Sequence, residues 1–344
     1  MQTSEQPFNG TAPPAPVIAG SPLSCWVATV EYAGMESQGI GLAEALGLAW
    51  TRKRVRPRAP WKYLPSRWWW RPLSMVATED GCQPPWPDVL ISCGWRSVAL
   101  ALAVRQASGG RTFTIHVQHP QISPHYFDRV VAPEHDGLRG DNVIVTQGAL
   151  HRVTPARLGD AAKQFAPRLA HLPHPRVAVL VGGSNRRQQV AAAVINDLAD
   201  QLLSLARNEG AGLIVTPSRR TGAANEQLLR ERLREVQAQI WDGQGENPYF
   251  GYLALADALV VTGDSVSMVS EACATGKPVY VYELEGAGRR LRRFHQGLRA
   301  AGITRPFTGI LEPWSYPPPD DTARAAAIIR PALAKRFGFA VTDP

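Results

Sequence analysis

ADALVVTGDSVSMVSEACATGKPVYV, residues 256–281, is the stretch that decides the fold. Its apolar run Ala258–Val261 is short, uninterrupted and rich in valine, the pattern of a strand buried on both faces of a parallel sheet. Thr262-Gly263 ends that strand. Asp264, Ser265 and Ser267 carry the short oxygen side chains that cap helix N-termini, and a helix over Val266–Thr275 follows. Gly276-Lys277-Pro278 stops the helix, because glycine accepts the left-handed closing conformation and proline cannot extend a helix. Pro278–Tyr282 is the next strand. A strand, a helix and a strand in this order make a parallel pair.

Outward from this unit the alternation persists. Upstream, Val177–Val181, Gly212–Thr216 and Gln239–Trp241 read as strands, with helices over Gln188–Arg207, Asn225–Val236 and Tyr249–Ala256. Downstream lie a basic helix, Arg289–Ala300, and a last helix, Asp320–Phe337. The N-terminal half repeats the pattern: strands at Ser24–Val30, Asp88–Cys93, Thr112–Val117, Asp128–Ala132 and Asn142–Val145, and helices at Ser37–Leu48, Arg96–Gln106 and Pro155–Ala170. This order predicts an α/β protein of doubly wound parallel sheets. HLPHP at 171–175 is the expected domain border, giving a leader over 1–23, one domain over 24–172, a second over 173–318 and a terminal segment, 319–344, whose helix crosses back to the first domain. No internal repeat of solenoid length is present.

A chain of 344 residues, 44% hydrophobic and 19% charged, has the length and composition of two globular domains. No window approaches the roughly 20 apolar residues that a membrane-spanning helix needs. Residues 1–23 lack a basic start and are broken by Pro13, Pro14 and Pro16, so they do not read as a signal peptide. Cys25, Cys82, Cys93 and Cys273 have neither CxxC spacing nor clustered histidines, which argues against zinc; Cys25, Cys93 and Cys273 sit in apolar stretches, as reduced, buried thiols do. The net charge of +8 is local. Eight basic residues and no acid lie between Thr51 and Arg71; of 37 basic residues 29 remain elsewhere, against 29 acids. A local anionic partner follows from that distribution.

Three loops carry the candidate chemistry. VLVGGSNRR, Val179–Arg187, takes a strand into Gly182-Gly183-Ser184, with Asn185 and Arg186 leading to a helix; such a turn lets backbone N–H groups approach an anion, or is a tight turn alone. VTPSRR, Val215–Arg220, brings Ser218, Arg219 and Arg220 to the carboxyl end of the next strand, where two guanidinium groups suit a phosphate or form a solvated loop. In the third, Gly263, Asp264, Ser265, Ser267 and Met268 open a helix at a diphosphate-sized site. Glu271 lies a turn deeper, where ribose hydroxyls could be accepted, or serves as a structural helix-face acid.

The pattern strand–TGDS–helix–Glu–Gly-Lys-Pro resembles the donor half of GT-B glycosyltransferases. The resemblance gives GGS to the diphosphate and Glu271 to the ribose. A longer likeness is to the family of fission factors named for elongated mitochondria, whose bacterial members are described as glycosyltransferases. It rests on AGMESQGIGLAEALGL (33–48), PDVLISCGWRSVALAL (87–102), VVAPEHDGLRGDNVIVTQGALHRVTP (130–155), VLVGGSNRR, WDGQGENPYFGYLALADALVVTGDSVSMVSEACATGKPVYVYELEG (241–286) and RRFHQGLRAAGITRPFTG (292–309), about residues 24–330. The resemblance implies a GT-B-like fold, two Rossmann-type domains facing a cleft. Two departures stand out. The first loop, Val30-Glu31-Tyr32-Ala33-Gly34, keeps one glycine where the family has an Asp-Gly turn, and Val117-Gln118-His119-Pro120 lacks the family's frequent Asp.

The expected function is transfer of a sugar from a nucleoside-diphosphate sugar to an envelope or lipid-linked acceptor at the cytoplasmic membrane face. No metal and no cofactor beyond the sugar nucleotide are expected, since no DxD-like acidic pair stands at a strand end. His135 is the first choice of general base, with Glu134 beside it and Asp136, His116 and His119 as further candidates; capping or backbone contacts are the competing roles. Glu246, Asn247, Pro248 and Tyr249 are placed at the rim near the base, and Gly34 and Gln38 in the acceptor loop. Arg67, Trp68, Trp69, Trp70 and Arg71 suit an anionic membrane surface, with nucleic acid disfavoured because the rest of the chain is neutral and core packing the plain alternative. Two other readings stay open: a non-catalytic adaptor on the same fold, and a nucleotide-sugar 2-epimerase.

Overall fold

The protein's structure, a computed structural model, describes residues 23–30, 32–57, 59, 73, 76–77, 81–183 and 190–338. The first half contains β1 (Ser24–Thr29), α1 (Ala33–Ala45), β2 (Ala49–Arg54), β3 (Arg56–Pro57), β4 (Val76–Ala77), β5 (Val89–Cys93), α2 (Val98–Ala107), β6 (Phe113–Val117), β7 (Arg129–Pro133), β8 (Val143–Thr146) and α3 (Pro155–Leu169). The second contains β9 (Arg176–Val181), α4 (Ala192–Glu209), β10 (Gly212–Pro217), α5 (Ala223–Leu233), β11 (Ala238–Ile240), α6 (Tyr249–Leu255) and β12 (Ala258–Thr262). It closes with α7 (Val266–Cys273), β13 (Val279–Tyr282), α8 (Arg289–Ala300), β14 (Thr304–Pro306) and α9 (Asp321–Phe337).

Two six-stranded sheets result, ordered β2-β1-β5-β6-β7-β8 and β11-β10-β9-β12-β13-β14. Strands β2, β1, β5, β6 and β7 of the first sheet and all six of the second pair in parallel; Leu259 of β12 stands beside Ala178 of β9 and Val279 of β13. Each order reverses once, between β1 and β5 and between β9 and β12, because the chain starts mid-sheet, winds to one edge and returns. The carboxyl ends of strands at such a reversal form the crevice where open α/β sheets bind ligands. The fold is therefore GT-B-like, built of two Rossmann-type doubly wound sheets.

Strict alternation along the strands of the second sheet sorts its core into two layers. Ala178, Leu180, Leu259, Val261, Val279 and Val281 face one way with Leu253, Val269, Phe294 and Leu298. Val177, Val179, Val260, Tyr280 and Tyr282 face the other with Ile195, Leu198 and Leu202 of α4. Such strands must be apolar on both sides, so they read as continuous apolar runs.

By contacts the described chain divides into two compact units, one up to Val131 together with Ala323 onward, the other Ala132–Thr322. That division precedes the border expected near residue 172. The reason lies in α3, which packs on α6: at Gly251 a Cβ would stand 2.6–2.8 Å from Phe165 side-chain atoms, so the bare glycine makes room for that residue. Within the first unit, Arg330 of α9 donates to the Ala45 carbonyl at 2.6 Å. Helix α3 starts as its sequence dictates, with Thr154 accepting the Arg157 N–H at 3.2 Å and Pro155 in the first turn. Thr154→Ala should lower stability by about 1 kcal/mol, the usual worth of an N-cap, read as a shift of the urea midpoint at constant m.

Strand β2 was not among the expected elements. It takes up the start of the basic run, pairing in parallel with β1. Arg52 bonds Glu36 at 2.6 Å, and Lys53 is buried with its ammonium 4.5 Å from the Trp26 ring centroid. Part of that positive charge therefore serves packing inside the first unit. Arg67, Trp68, Trp69, Trp70 and Arg71 lie outside the described residues, as does most of the expected leader. Two helix starts also differ: α1 begins at Ala33 with no side-chain cap, and a 3-10 turn over Trp95–Ser97 precedes α2.

Candidate functional site

The reversal between β9 and β12 brings together the three loops singled out in the sequence. Gly182 donates its N–H to Thr262 Oγ1 at 2.7 Å, and Gly183 donates to Asp264 Oδ2 at 3.1 Å. Thr262 Oγ1 donates to Asp264 Oδ1 at 2.7 Å. Arg220 reaches in from β10, with Nη2 3.0 Å from Asp264 Oδ2 and Nη1 3.3 Å from the Gly183 carbonyl. The Asp264 side chain is 0% exposed, so one buried carboxylate ties all three loops. Burial of an unpaired carboxylate is costly, and here a guanidinium, a hydroxyl and an amide compensate it.

This geometry gives the two glycines a reason that the sequence did not. A Cβ on Gly182 would lie 2.1 Å from Asp264 Oδ1, and one on Gly183 would lie 2.0 Å from the Arg220 carbonyl carbon. The loop is bare so that Asp264 and the Arg220 backbone can press against it. Arg220 and the Gly183 amide, expected to meet a diphosphate, meet an internal anion. Ser218 caps its own turn, accepting the Arg220 N–H at 3.2 Å, and Arg219 is exposed. Ser184, Asn185 and Arg186 lie outside the described residues.

Ser265 is the N-cap of α7, its hydroxyl accepting the Met268 N–H at 3.4 Å. Ser267 and Met268 in the first turn are half-buried, and Glu271, a turn further, is 7% exposed. Tyr249, at the start of α6, donates its hydroxyl to Glu271 Oε2 at 2.6 Å. Burial, followed by the Glu271 charge and this bond, holds the Tyr249 phenol well above its ordinary pKa. The expected ribose acid and the expected rim are thus one hydrogen-bonded pair. Asn247 accepts the Tyr249 N–H at 3.0 Å, Pro248 caps α6, and exposed Glu246 accepts from Gln164. Tyr249→Phe should cost about 1–2 kcal/mol, because a buried carboxylate loses a donor; the urea midpoint reads it.

His135 lies in a 3-10 turn, Glu134–Asp136, directly after β7. Its ring meets Phe294 of α8 edge-on at 5.2 Å, and its Nε2 is 3.5 Å from Asp136 Oδ1. Burial lowers its pKa, against a smaller opposing pull from Asp136. Asp136 is buried and ion-paired with Arg290, while Glu134 is exposed and paired with Arg139. Next to Phe294, His295 stands with Nε2 2.7 Å from the Gly263 carbonyl, linking α8 to the loop before α7. His295 has no role in the sequence-based expectations above; its one signal in the sequence is a lone histidine on the apolar side of a basic helix.

In the first unit, buried Gln38 donates to the Gly34 carbonyl at 3.0 Å and accepts from Gln118 Nε2 at 3.4 Å. Gln118 has φ of 79°, a left-handed backbone that is costly for a side chain other than glycine. It stands directly after β6. His116 is fully inside, bonded to Ser92, and His119 accepts the Gln121 N–H at 2.9 Å. Among the described residues no group of three His, Cys, Asp or Glu side chains could hold a metal ion, and no helix is long and apolar enough to cross a membrane.

The family profile described as "Mitochondrial fission ELM1" matches residues 33–333. The chain belongs to this family. The mitochondrial fission protein ELM1 of Arabidopsis thaliana is 35% identical over 276 residues, covering 73% of this chain and 65% of that one. The chain thus spans just under two thirds of that relative's length. An uncharacterized protein of Rickettsia prowazekii is 25% identical over 363 residues, covering 90% of this chain and 99% of that one. Among solved structures, the UDP-GlcNAc 2-epimerase of Methanocaldococcus jannaschii is similar with a TM-score of 0.51 at 12% identity, over 89% of this chain and 99% of that one. For an ELM1-family chain this last likeness concerns the fold. The ELM1 match spans all three of the loops described above.

Proposed function

We propose that this ELM1-family protein binds a nucleoside-diphosphate sugar at the carboxyl ends of β9, β10 and β12 and transfers its sugar to an envelope or lipid-linked acceptor at the cytoplasmic membrane face. The observation that carries the reading is Glu271: a buried carboxylate one turn after Ser267 on a helix capped by Ser265, at the sheet's reversal point. In this reading the diphosphate lies over Ser265 and Ser267 at the positive end of α7, with Arg219 neutralising it. Glu271 takes the ribose and Glu246–Tyr249 border the base. His135, kept neutral by burial, has the protonation state that a base needs at neutral pH. Gly34 and Gln38 are assigned to the acceptor, and Arg67–Arg71 to the membrane. The reading uses no metal and no cofactor.

One observation favours a second reading, the non-catalytic adaptor. Asp264 already occupies the Gly183 amide and the Arg220 guanidinium that a diphosphate would use. Incubation with UDP- and GDP-sugars and a lipid-phosphate acceptor, followed by chromatography, separates the cases. Free nucleoside diphosphate with glycosylated lipid supports the transferase. An epimerised sugar nucleotide would make the protein a 2-epimerase, and unchanged substrate with all acceptors would leave the adaptor.

A further inference from the structure

Helix α8 breaks a local rule. Four of its first five residues, Arg289, Arg290, Arg292 and Arg293, are arginines, with no acid in the first turn and a glycine N-cap that offers no side chain. A helix N-terminus carries partial positive charge, so cations there are repelled by their own helix. A sequence that breaks such a rule is expected to be compensated elsewhere, and sites of that kind are commonly functional.

The molecule compensates some of these arginines and leaves others. Arg290 has Asp136, and Arg299 near the far end has Glu283. Arg289, Arg292 and Arg293 have no acid partner among the described residues, and Arg292 reaches only the Ala287 carbonyl. Their spacing of three and four residues sets them on one face, with Gln296 and Ala300 continuing the row. All five are exposed, whereas Phe294, His295 and Leu298 on the opposite face are buried. Outside residues 51–71 the chain is formally neutral, so this row is not a by-product of a basic surface.

We infer that the Arg289–Arg292–Arg293 row of α8 is a docking surface for an anionic phospholipid bilayer. The row is exposed and absent from the lining of the cavities at Ala193–Phe307 and at Gln147–Asp321, which suits an extended sheet of charge rather than a single enclosed phosphate. It has no large apolar side chain, so contact is electrostatic, peripheral and screened by salt. The inference is independent of nucleotide handling.

The test is co-sedimentation of the full chain with phosphatidylcholine vesicles, with and without about one-third phosphatidylglycerol. Binding is expected to the acidic vesicles alone and to fall as salt rises. Replacing all three arginines by glutamate should weaken binding by roughly 100-fold, at a few-fold for each lost cation, and the corresponding lysine variant should retain it. Circular dichroism and the thermal midpoint verify folding; if the glutamate variant unfolds, the glutamine variant replaces it. Binding unchanged by these substitutions, binding equal on neutral vesicles, or none on acidic ones would each overturn the inference. So would complete displacement by inorganic pyrophosphate at constant ionic strength, which would mark a discrete phosphate site.

Discussion

Acidification from pH 7 to pH 5 is expected to destabilise the protein steeply, because four histidines are buried in their neutral form. His116, His135, His151 and His295 are all held below the ordinary histidine pKa, in each case chiefly by burial. His116 is pushed down to about 3, with the charge of His119 adding to the effect. Its Nδ1 bonds the Ser92 hydroxyl at 2.8 Å, while Nε2 has no partner among the described residues. The folded-state pKa is thus depressed relative to the unfolded chain. Stability is complete above the unfolded value near 6.5 and is lost as pH falls from there toward the folded value. Each histidine that only the unfolded chain protonates contributes a slope approaching about 1.4 kcal/mol per pH unit. The urea midpoint followed from pH 7 to 5 should therefore fall with a slope exceeding one proton. In His116→Phe the slope should be about one proton smaller below pH 6. Parallel curves for the two proteins would contradict the assignment.

The second large effect is steric. Gly183→Ala should lower stability by more than about 3 kcal/mol, because its Cβ would lie 2.0 Å from the Arg220 carbonyl carbon and 2.4 Å from the Thr221 nitrogen. Those neighbours are backbone and cannot rotate aside. Gly159→Ala, in α3 with nothing within 4 Å, is the comparison and should be neutral or stabilising by about 0.5–1 kcal/mol. Denaturation midpoints of both variants decide the matter. Equal, small shifts would mean that the glycine loop does not close on Arg220 as described.

Much of the fold was legible because buried parallel strands leave a plain signature. Val177–Val181 and Ala258–Val261 read as strands for the same reason that they are buried on both sides. Strand β2 was hidden because it is an edge strand written in charged residues, Thr51-Arg-Lys-Arg54, whose stability comes from Glu36 and the Trp26 ring rather than from apolar alternation. Strand β14, Thr304–Pro306, is too short to carry a pattern.

The candidate site was legible as a set of residues and illegible as a set of bonds. Glu271 and Tyr249 were both singled out, yet 22 positions apart nothing in the sequence shows that one holds the other. Asp264 was read as helix-capping chemistry at a ligand site, and the structure makes it the internal partner of Arg220. The difference is tertiary: the carboxylate turns toward β9 because two glycines leave space there. Conversely, the two acids beside His135 in the sequence suggest a tuned base, whereas its burial in the fold, with Phe294 edge-on to the ring, lowers its pKa against a smaller opposing pull from Asp136.

The most direct test of the central claim is calorimetric titration of UDP, GDP and their sugars into the wild-type protein and Glu271→Ala. The account predicts micromolar binding of at least one nucleotide to the wild type, weakened by about 1–3 kcal/mol in the variant as a buried ribose hydrogen bond is lost. Absence of binding by the folded wild-type protein, or equal affinity in both proteins, would contradict the donor site and leave the adaptor as the better description.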